Sequence, residues 1–246
     1  MIDVCVLGPS GKMGRSVIEA AKAREDVRVV STVDLGEDVA AGLAKAQVYV
    51  DFTSPTGTRA AAKAALAKKT AAVIGTTGLG ESEERAIAEL AKVAPVVVAA
   101  NFSLGVNLVL GLVKQAAKVL GPDWDAEIVE THHKMKRDAP SGTALAIARA
   151  IAAGHGVDYD KVKRHTRDGD VGPRPRGEIG VSTVRGGDII GEHVATFFGA
   201  AERVEIAHRA TSRTIFAAGA LTAAAWVVGK APGRYDMLDV LGFAGE

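Results

Sequence analysis

Between Glu130 and Thr143 the chain reads Glu-Thr-His-His-Lys-Met-Lys-Arg-Asp-Ala-Pro-Ser-Gly-Thr, its densest run of groups able to move a proton or hold an anion. Five of the six residues from His132 to Arg137 can carry positive charge, a concentration whose electrostatic cost a bound anion offsets. Pro140 biases Ala139 away from helix, and Ser141 can cap the helix that follows. The free amides around Gly142 and Thr143 then make a second anion-binding device beside the cationic one. Two such devices together suit a small dianion such as a dicarboxylate. Histidine is the natural proton donor near neutral pH. His132 and His133 point to opposite faces if the strand before them continues; if it ends there, both can turn into one cleft. Three other readings compete: a solvated basic loop, a paired-histidine metal site with Asp138 as its nearest acid, and a strip for RNA. No third ligand lies close to the histidines in sequence, so no metal is expected.

A second motif, Gly8-Pro-Ser-Gly11-Lys-Met-Gly14, stands between a strand-like run and a helical one. Glycines there let the chain turn tightly and let backbone amides approach a pyrophosphate, while the helix N-terminus adds donors and partial positive charge. The spacing is GxxGxxG, not the usual GxGxxG, and its context strengthens it. Asp34 ends the second strand-like run 20 residues after Gly14, where an acid binds the adenosine ribose hydroxyls. A carboxylate accepts from a 2′-hydroxyl and repels a 2′-phosphate. Leu35 follows where an Arg would favour that phosphate, although Lys12 and Arg15 can compensate. The motif therefore predicts a preference for NADH with some use of NADPH.

The elements that must position these groups follow two grammars. Through residue 100, apolar runs at 2–7, 27–34, 48–52, 71–75 and 96–100 alternate with helical stretches at 13–24, 55–69 and 81–92. That alternation predicts an α/β, doubly wound Rossmann-type domain with a parallel sheet. The later chain predicts an inserted α+β domain: helices up to 120 and at 141–153, a strand at 127–131, and strand-like runs at 179–184, 189–198 and 203–210. The short connections between the last three suit antiparallel pairing, so its sheet should be mixed and largely antiparallel. Residues 154–177 read as a long polar loop whose arginines are solvated. An Ala-rich helix from 215 then returns to the first domain. The expected domains are 1–103 for the dinucleotide, 104–213 for substrate and assembly, and 214–246 for the returning helix and tail.

Composition narrows the class. Apolar residues make up 48% of the 246, and the formal net charge is +1, which opposes both disorder and general nucleic-acid binding. Aromatics are only 4%, too few for a base-stacking surface. The N-terminus has no basic signal-peptide region, and the longest apolar stretch, 215–229, is shorter than the ~20 residues of a spanning helix. A single cysteine, Cys5, fits buried packing in a reducing, cytoplasmic setting.

The segment HHKMKRDAPSGTA at 132–144 resembles the signature of the dihydrodipicolinate reductase family, close to HHxxKxDAPSGTA, and fills every fixed position. GPSGKMG at 8–14, DFTSP at 51–55, GTTG at 75–78, ANFSLGVN at 100–107, GDIIGEH at 187–193 and TSRTIF at 211–216 fit the same family in order. The resemblance implies reduction of a cyclic unsaturated dicarboxylate with NAD(P)H and release of water, in diaminopimelate and lysine biosynthesis. It also implies a homotetramer built through the inserted domain's sheet. It makes His132 the general acid/base and Lys136 the proton donor, with His133, Ser141, Gly142 and Thr143 as substrate contacts. It assigns the cofactor to Gly8, Pro9, Ser10, Gly11, Lys12, Met13, Asp34, Gly75, Thr76, Thr77, Ala99, Ala100, Asn101 and Phe102, with Arg213 and Phe216 as weaker candidates. Lys12 stands where the family commonly has Arg, which keeps the charge. Cofactor and substrate groups fall on different domains, so the two are expected to close during turnover. Two rival classes remain. Another nicotinamide enzyme, such as an amino-acid dehydrogenase, would not need this block, and a nucleotide sensor would not need His132 with Lys136.

Overall fold

The apolar runs of the first hundred residues form strands of one parallel sheet, and the helices between them cover both its faces. The computed structural model describes residues Met1–Phe243. The chain divides into two compact units, Met1–Leu104 with the chain from Thr214 onward, and Gly105–Arg213.

The first unit opens with β1 (Ile2–Leu7), α1 (Lys12–Ala21), β2 (Val27–Val33), α2 (Val39–Leu43), β3 (Val48–Asp51), α3 (Pro55–Ala65), β4 (Ala71–Ile74), α4 (Glu81–Ala91) and β5 (Pro95–Val98). The chain continues through α5 (Leu104–Leu120), β6 (Asp125–His132), α6 (Gly142–His155), α7 (Tyr159–Val162), β7 (Lys163–Arg164), β8 (Ile179–Arg185), β9 (Gly191–Phe198) and β10 (Arg203–Ala210). It returns through α8 (Thr214–Val227), β11 (Gly233–Tyr235) and α9 (Met237–Val240).

The first sheet has the order β11-β5-β4-β3-β1-β2, and every pairing in it is parallel. Its strands alternate between two buried faces, as a covered parallel sheet requires. Val4, Val6, Val48, Val50, Val73 and Val97 point to one face, where they pack with Val17 of α1 and Ala217, Leu221 and Ala224 of α8. Cys5, Leu7, Tyr49 and Ile74 point to the other, against Ala61 and Ala65 of α3 and Ile87 and Leu90 of α4. Each such Val or Leu contributes about 1.5–3 kcal/mol by leaving water. The Ala-rich stretch is the buried helix α8, whose small side chains pack on α1, β3 and β4. Ser54 caps α3 by accepting from Gly57 N, with Pro55 at the first position, which fixes where the chain leaves β3. The tail adds a strand, β11 beside β5, and the short helix α9, neither foreseen from the sequence. Positions 244–246 of the expected tail lie outside the described residues. Trp226 packs partly buried against this core; Tyr235 meets it edge-on and Lys230 lies over its face.

The second unit holds a mixed sheet of order β10-β9-β6-β8-β7. The β6–β9 and β9–β10 ladders are antiparallel, whereas β6–β8 and β7–β8 are parallel. The short connection between β8 and β9 suggested a hairpin, but β6 lies between them and both pair with it. One face is covered by α5 and α6, through Val113, Ala117, Ile147 and Ile151 against Ile128, Ile179, Val181 and Phe197. The segment read as a long solvated loop contains α7 and β7, and its arginines are mostly engaged. Arg167 binds Glu127 and Glu178, and Arg174 binds Asp125, Glu127 and the carbonyls of Ala126 and Glu178. These contacts pin the segment to β6 and to the start of β8. Arg164 binds Glu178 but stays exposed, and Arg176, paired with Asp123, stays largely in solvent.

Candidate active site

Chemistry in the first unit gathers at the carboxyl ends of its strands, where doubly wound sheets bind ligands. Gly8 turns with a φ of +69°, a conformation that favours glycine. Gly14 sits so close above that turn that a Cβ there would come within 2.1 Å of the Gly8 carbonyl oxygen. Backbone amides and the start of α1 therefore crowd one spot, as pyrophosphate binding needs. A cavity of about 550 Å³ opens beside the turn, lined among others by Gly8, Ser10, Gly11, Asp34, Phe52, Thr53 and Ser54. Asp34 directly follows β2. Its carboxyl lies below the usual carboxylate range because Ser10 and then the Leu35 N–H hydrogen-bond to it. An acid facing the glycine turn and a cavity between them fit a dinucleotide with its ribose at Asp34 and its phosphates at α1.

Pro9, Lys12 and Met13 belong to the same turn but do not line the cavity. Gly75, Thr76 and Thr77 follow β4, and Ala99 to Phe102 follow β5, along the same carboxyl edge of the sheet. Buried Asp51 organises this edge, accepting from Thr53 N and from the hydroxyls of Thr53, Thr58 and Thr76. Gly75 N donates to the Asp51 carbonyl and Ala99 N to that of Ile74. Phe102 is buried and meets Phe52 edge-on at 5.5 Å. Phe216 is half-buried near the start of α8, whereas Arg213 is exposed at the end of the second unit.

In the second unit the strand ends at His132, which resolves the paired histidines: His132 is buried and His133 half-buried. Alternation along β6 puts Ala126, Ile128, Glu130 and His132 on the helix-covered face. The basic segment then lies against residues 186–189, with His133 N donating to the Ile189 carbonyl and Lys134 N to that of Gly187. Lys136 Nζ lies 2.9 Å from Asp138, so the acid weighed as a third metal ligand pairs with the lysine. Ser141 caps α6 by accepting from Ala144 N, and Gly142 and Thr143 open its first turn beside the cationic segment.

Sequence reasoning missed the centre of this site. Glu130, entirely buried, lies 2.6 Å from His132 Nδ1 and accepts from Ser141 N at 3.0 Å and Thr183 Oγ1 at 3.1 Å. Arg185 adds two further hydrogen bonds of 2.8 and 2.9 Å to the same carboxylate and one to the Asp138 carbonyl. Burial alone would raise the Glu130 pKa, but the hydrogen bonds from Arg185 and His132 outweigh it and hold it at about 2. Burial lowers the His132 pKa, and Glu130 offsets only part of that. His193 of β9 packs edge-on against His132 at 5.2 Å, with Nε2 3.1 Å from Ser141 Oγ. The one signal for Glu130 was its place two residues before His132, on the same face of a strand. His193 was only the last residue of the GDIIGEH block, with no role read for it, and Arg185 gave no signal.

The family model described as Dihydrodipicolinate reductase, N-terminus, matches residues 2–102, and that described as Dihydrodipicolinate reductase, C-terminus, matches 105–241. The chain is 46% identical over 251 residues to the 4-hydroxy-tetrahydrodipicolinate reductase of Caulobacter vibrioides, covering 98% of each chain. It is 44% identical over 262 residues to that of Alkalilimnicola ehrlichii, covering 97% of this chain and 98% of the relative. A dipicolinate-bound dihydrodipicolinate reductase from Paenisporosarcina sp. TG-14 shares the fold with a TM-score of 0.78, at 24% identity and over 97% and 98% of the two chains. Matched from end to end by both halves of one family, this chain belongs to the dihydrodipicolinate reductases.

Proposed function

We propose that this chain reduces 4-hydroxy-tetrahydrodipicolinate to tetrahydrodipicolinate with release of water, in diaminopimelate and lysine biosynthesis. The observation that carries the reading is the segment from His132 to Ala144. Every fixed position of the family signature is filled there, and the segment joins a histidine on a buried carboxylate, a lysine and the N-terminus of α6. Reduced nicotinamide, when bound, supplies the hydride. The rest falls to side chains of the chain itself. Reduction of a conjugated imine leaves electron density on a ring carbon as an enamine, and an acid must quench it. His132 and Lys136 lie four residues apart around one turn and serve that step, with His133 beside them. The first turn of α6 at Gly142 and Thr143, with Ser141 as its cap, holds one carboxylate and thereby fixes the ring; such orientation contributes up to about 7–11 kcal/mol. The glycine turn and Asp34 hold the cofactor, with Gly75–Thr77 and Ala99–Phe102 continuing its site toward β5. Asp34 favours NADH, with NADPH as a weaker alternative. A homotetramer and a cytoplasmic setting complete the reading. The exposed Val129 and Val184 on the face of the second sheet turned from α5 and α6 support the first, and the lone buried thiol of Cys5 fits the second.

The test is NADH and NADPH oxidation with substrate made in place from pyruvate and aspartate semialdehyde by its synthase. Oxidation that needs every component, with a higher kcat/KM for NADH, is the expected result. His132→Ala and Lys136→Ala should each lower turnover by about 10²–10⁴-fold while NADH binding survives. No oxidation with either cofactor despite measurable NADH binding would shift the reading to a sensor or another substrate. Equal or better efficiency with NADPH would remove the cofactor preference alone.

A further inference from the structure

The buried Glu130 carboxylate receives five hydrogen bonds from four residues, which lie on β6, on β8 and at the N-terminus of α6. Two come from Arg185, whose paired charge keeps a buried carboxylate ionised. An ionised carboxylate only accepts hydrogen bonds. The 2.6 Å approach of His132 Nδ1 to Glu130 Oε2 is therefore a hydrogen bond in which Nδ1 carries the hydrogen. A neutral imidazole has one N–H, so Nε2 is then bare. The other oxygen, Oε1, holds the Ser141 N–H at 3.0 Å and so ties the start of α6 to the same carboxylate.

We propose that Glu130 is the positioning residue that fixes His132 in its Nδ1–H tautomer, makes Nε2 the atom that exchanges the proton, and aligns the N-terminus of α6 with it. Its role in turnover rests on the reductase reading; the tautomer does not. The charged and titratable groups facing the His132 ring are Glu130 on its own strand, Arg185 from β8, His193 from β9 and Lys136 from the following turn. His208 of β10 stands opposite His193. Of these, Glu130 alone carries negative charge, so removing that charge must make the imidazolium harder to form. A general acid with a lower pKa loses its proton at lower pH, and the alkaline limb of the rate profile follows it down.

The test begins with ¹⁵N NMR of the wild-type histidine rings without substrate, the His132 signals being those lost in His132→Gln. A neutral His132 protonated at Nδ1 is expected; protonation at Nε2 overturns the proposal whatever the variants do. Glu130→Gln keeps the shape and removes the charge. It should lower kcat near neutral pH by roughly 10–100-fold and move the alkaline limb down by about one pH unit. Glu130→Asp, which restores a carboxylate, should return the limb most of the way toward wild type. A limb unmoved in both variants, with kcat and KM changed alike, would make Glu130 a structural residue only and overturn its positioning role. If Glu130→Gln does not fold, the wild-type spectrum and the Glu130→Asp profile decide. Absence of turnover in wild type with an Nδ1–H signal intact would instead sink the reductase reading and leave the tautomer standing.

Discussion

A histidine buried neutral makes folding sensitive to acid, because the unfolded chain can take up a proton that the native site refuses. His193 is such a residue: it is 4% exposed, and its Nδ1 has no partner among the described residues. Burial, and then the neighbouring His132, push its pKa from the ordinary 6.5 to about 4. With the folded pKa below the unfolded one, the full stability is present above pH 6.5 and is lost as pH falls toward about 4. Linkage puts the loss from this one group at about 2 kcal/mol between pH 7.5 and 5. Thermal unfolding across that range should therefore show a steeper decline for wild type than for His193→Gln, which keeps a polar partner for Ser141. Parallel declines would mean that His193 is not the group responsible. This residue also marks where sequence reading stops. His132, Lys136 and Ser141 were legible because their devices are local: a turn, a cap, charges four residues apart. Glu130 was half-legible by strand alternation. Arg185 and His193 reach the site from 55 and 63 positions beyond Glu130, through a strand register that places Arg185 opposite His132 and His193 opposite Glu130. No local pattern encodes that register.

Between elements, the closest fit in the cofactor region is α1 against the turn that precedes it. A Cβ on Gly14 would stand 2.1 Å from the Gly8 carbonyl oxygen, 2.8 Å from its carbon and 3.0 Å from Pro9 Cα. All three are backbone atoms, so no side chain can swing aside, and either α1 or the turn must move. Gly14→Ala should cost about 1–3 kcal/mol of stability, as overpacking does, and weaken NADH binding at least roughly tenfold by displacing the amides that face the phosphates. Fluorescence titration with NADH, alongside a melting curve, reads both. An unchanged Kd would show that the turn does not hold the cofactor. At this scale the part of the first unit through β5 was nearly transparent, since strand, turn and helix succeed one another, whereas β11 reaches β5 from far along the chain. The second unit was less so. Closeness in sequence pointed to a β8–β9 pair, but β8 runs parallel to β6, and β9 pairs with the opposite edge of that strand. The arginines of 163–178 misled for a related reason. Besides the nearby Glu178, the partners of Arg167 and Arg174, Asp125 and Glu127, lie some 40 to 50 residues earlier on a strand whose outward face could be known only once the sheet was assembled.

On the scale of the whole molecule, one face of the second sheet carries apolar side chains that α5 and α6 do not cover. The face of the second sheet turned away from α5 and α6 presents Val129, Val184 and Phe198, exposed by 44%, 46% and 41%. Val129 lies on the central strand of that sheet. Exposed apolar side chains on a sheet face call for a cover, and with a net charge of only +1 long-range repulsion between copies is weak. A second copy offering the same face can close it isologously, as two-fold pairing requires. The proposed homotetramer, which needs a second two-fold contact besides this one, would have a mass of about four times the 25.4 kDa protomer, measurable by light scattering on a sizing column. Val129→Asp would put a carboxylate on the centre of that face, near the outward Asp125 and Glu127 of the same strand. The variant should remain folded and bind NADH, because the glycine turn and Asp34 belong to the other unit, yet run at half the tetramer mass or less. A wild-type chain that elutes as a monomer, or a variant that stays tetrameric, would require a different role for this face. Turnover of the dissociated variant then separates the two uses of the second sheet. If the helix-covered face carrying Glu130 and His132 works without a partner behind it, activity persists. If assembly is needed to hold the β6–β8 register on which Arg185 and Glu130 depend, kcat falls with the mass.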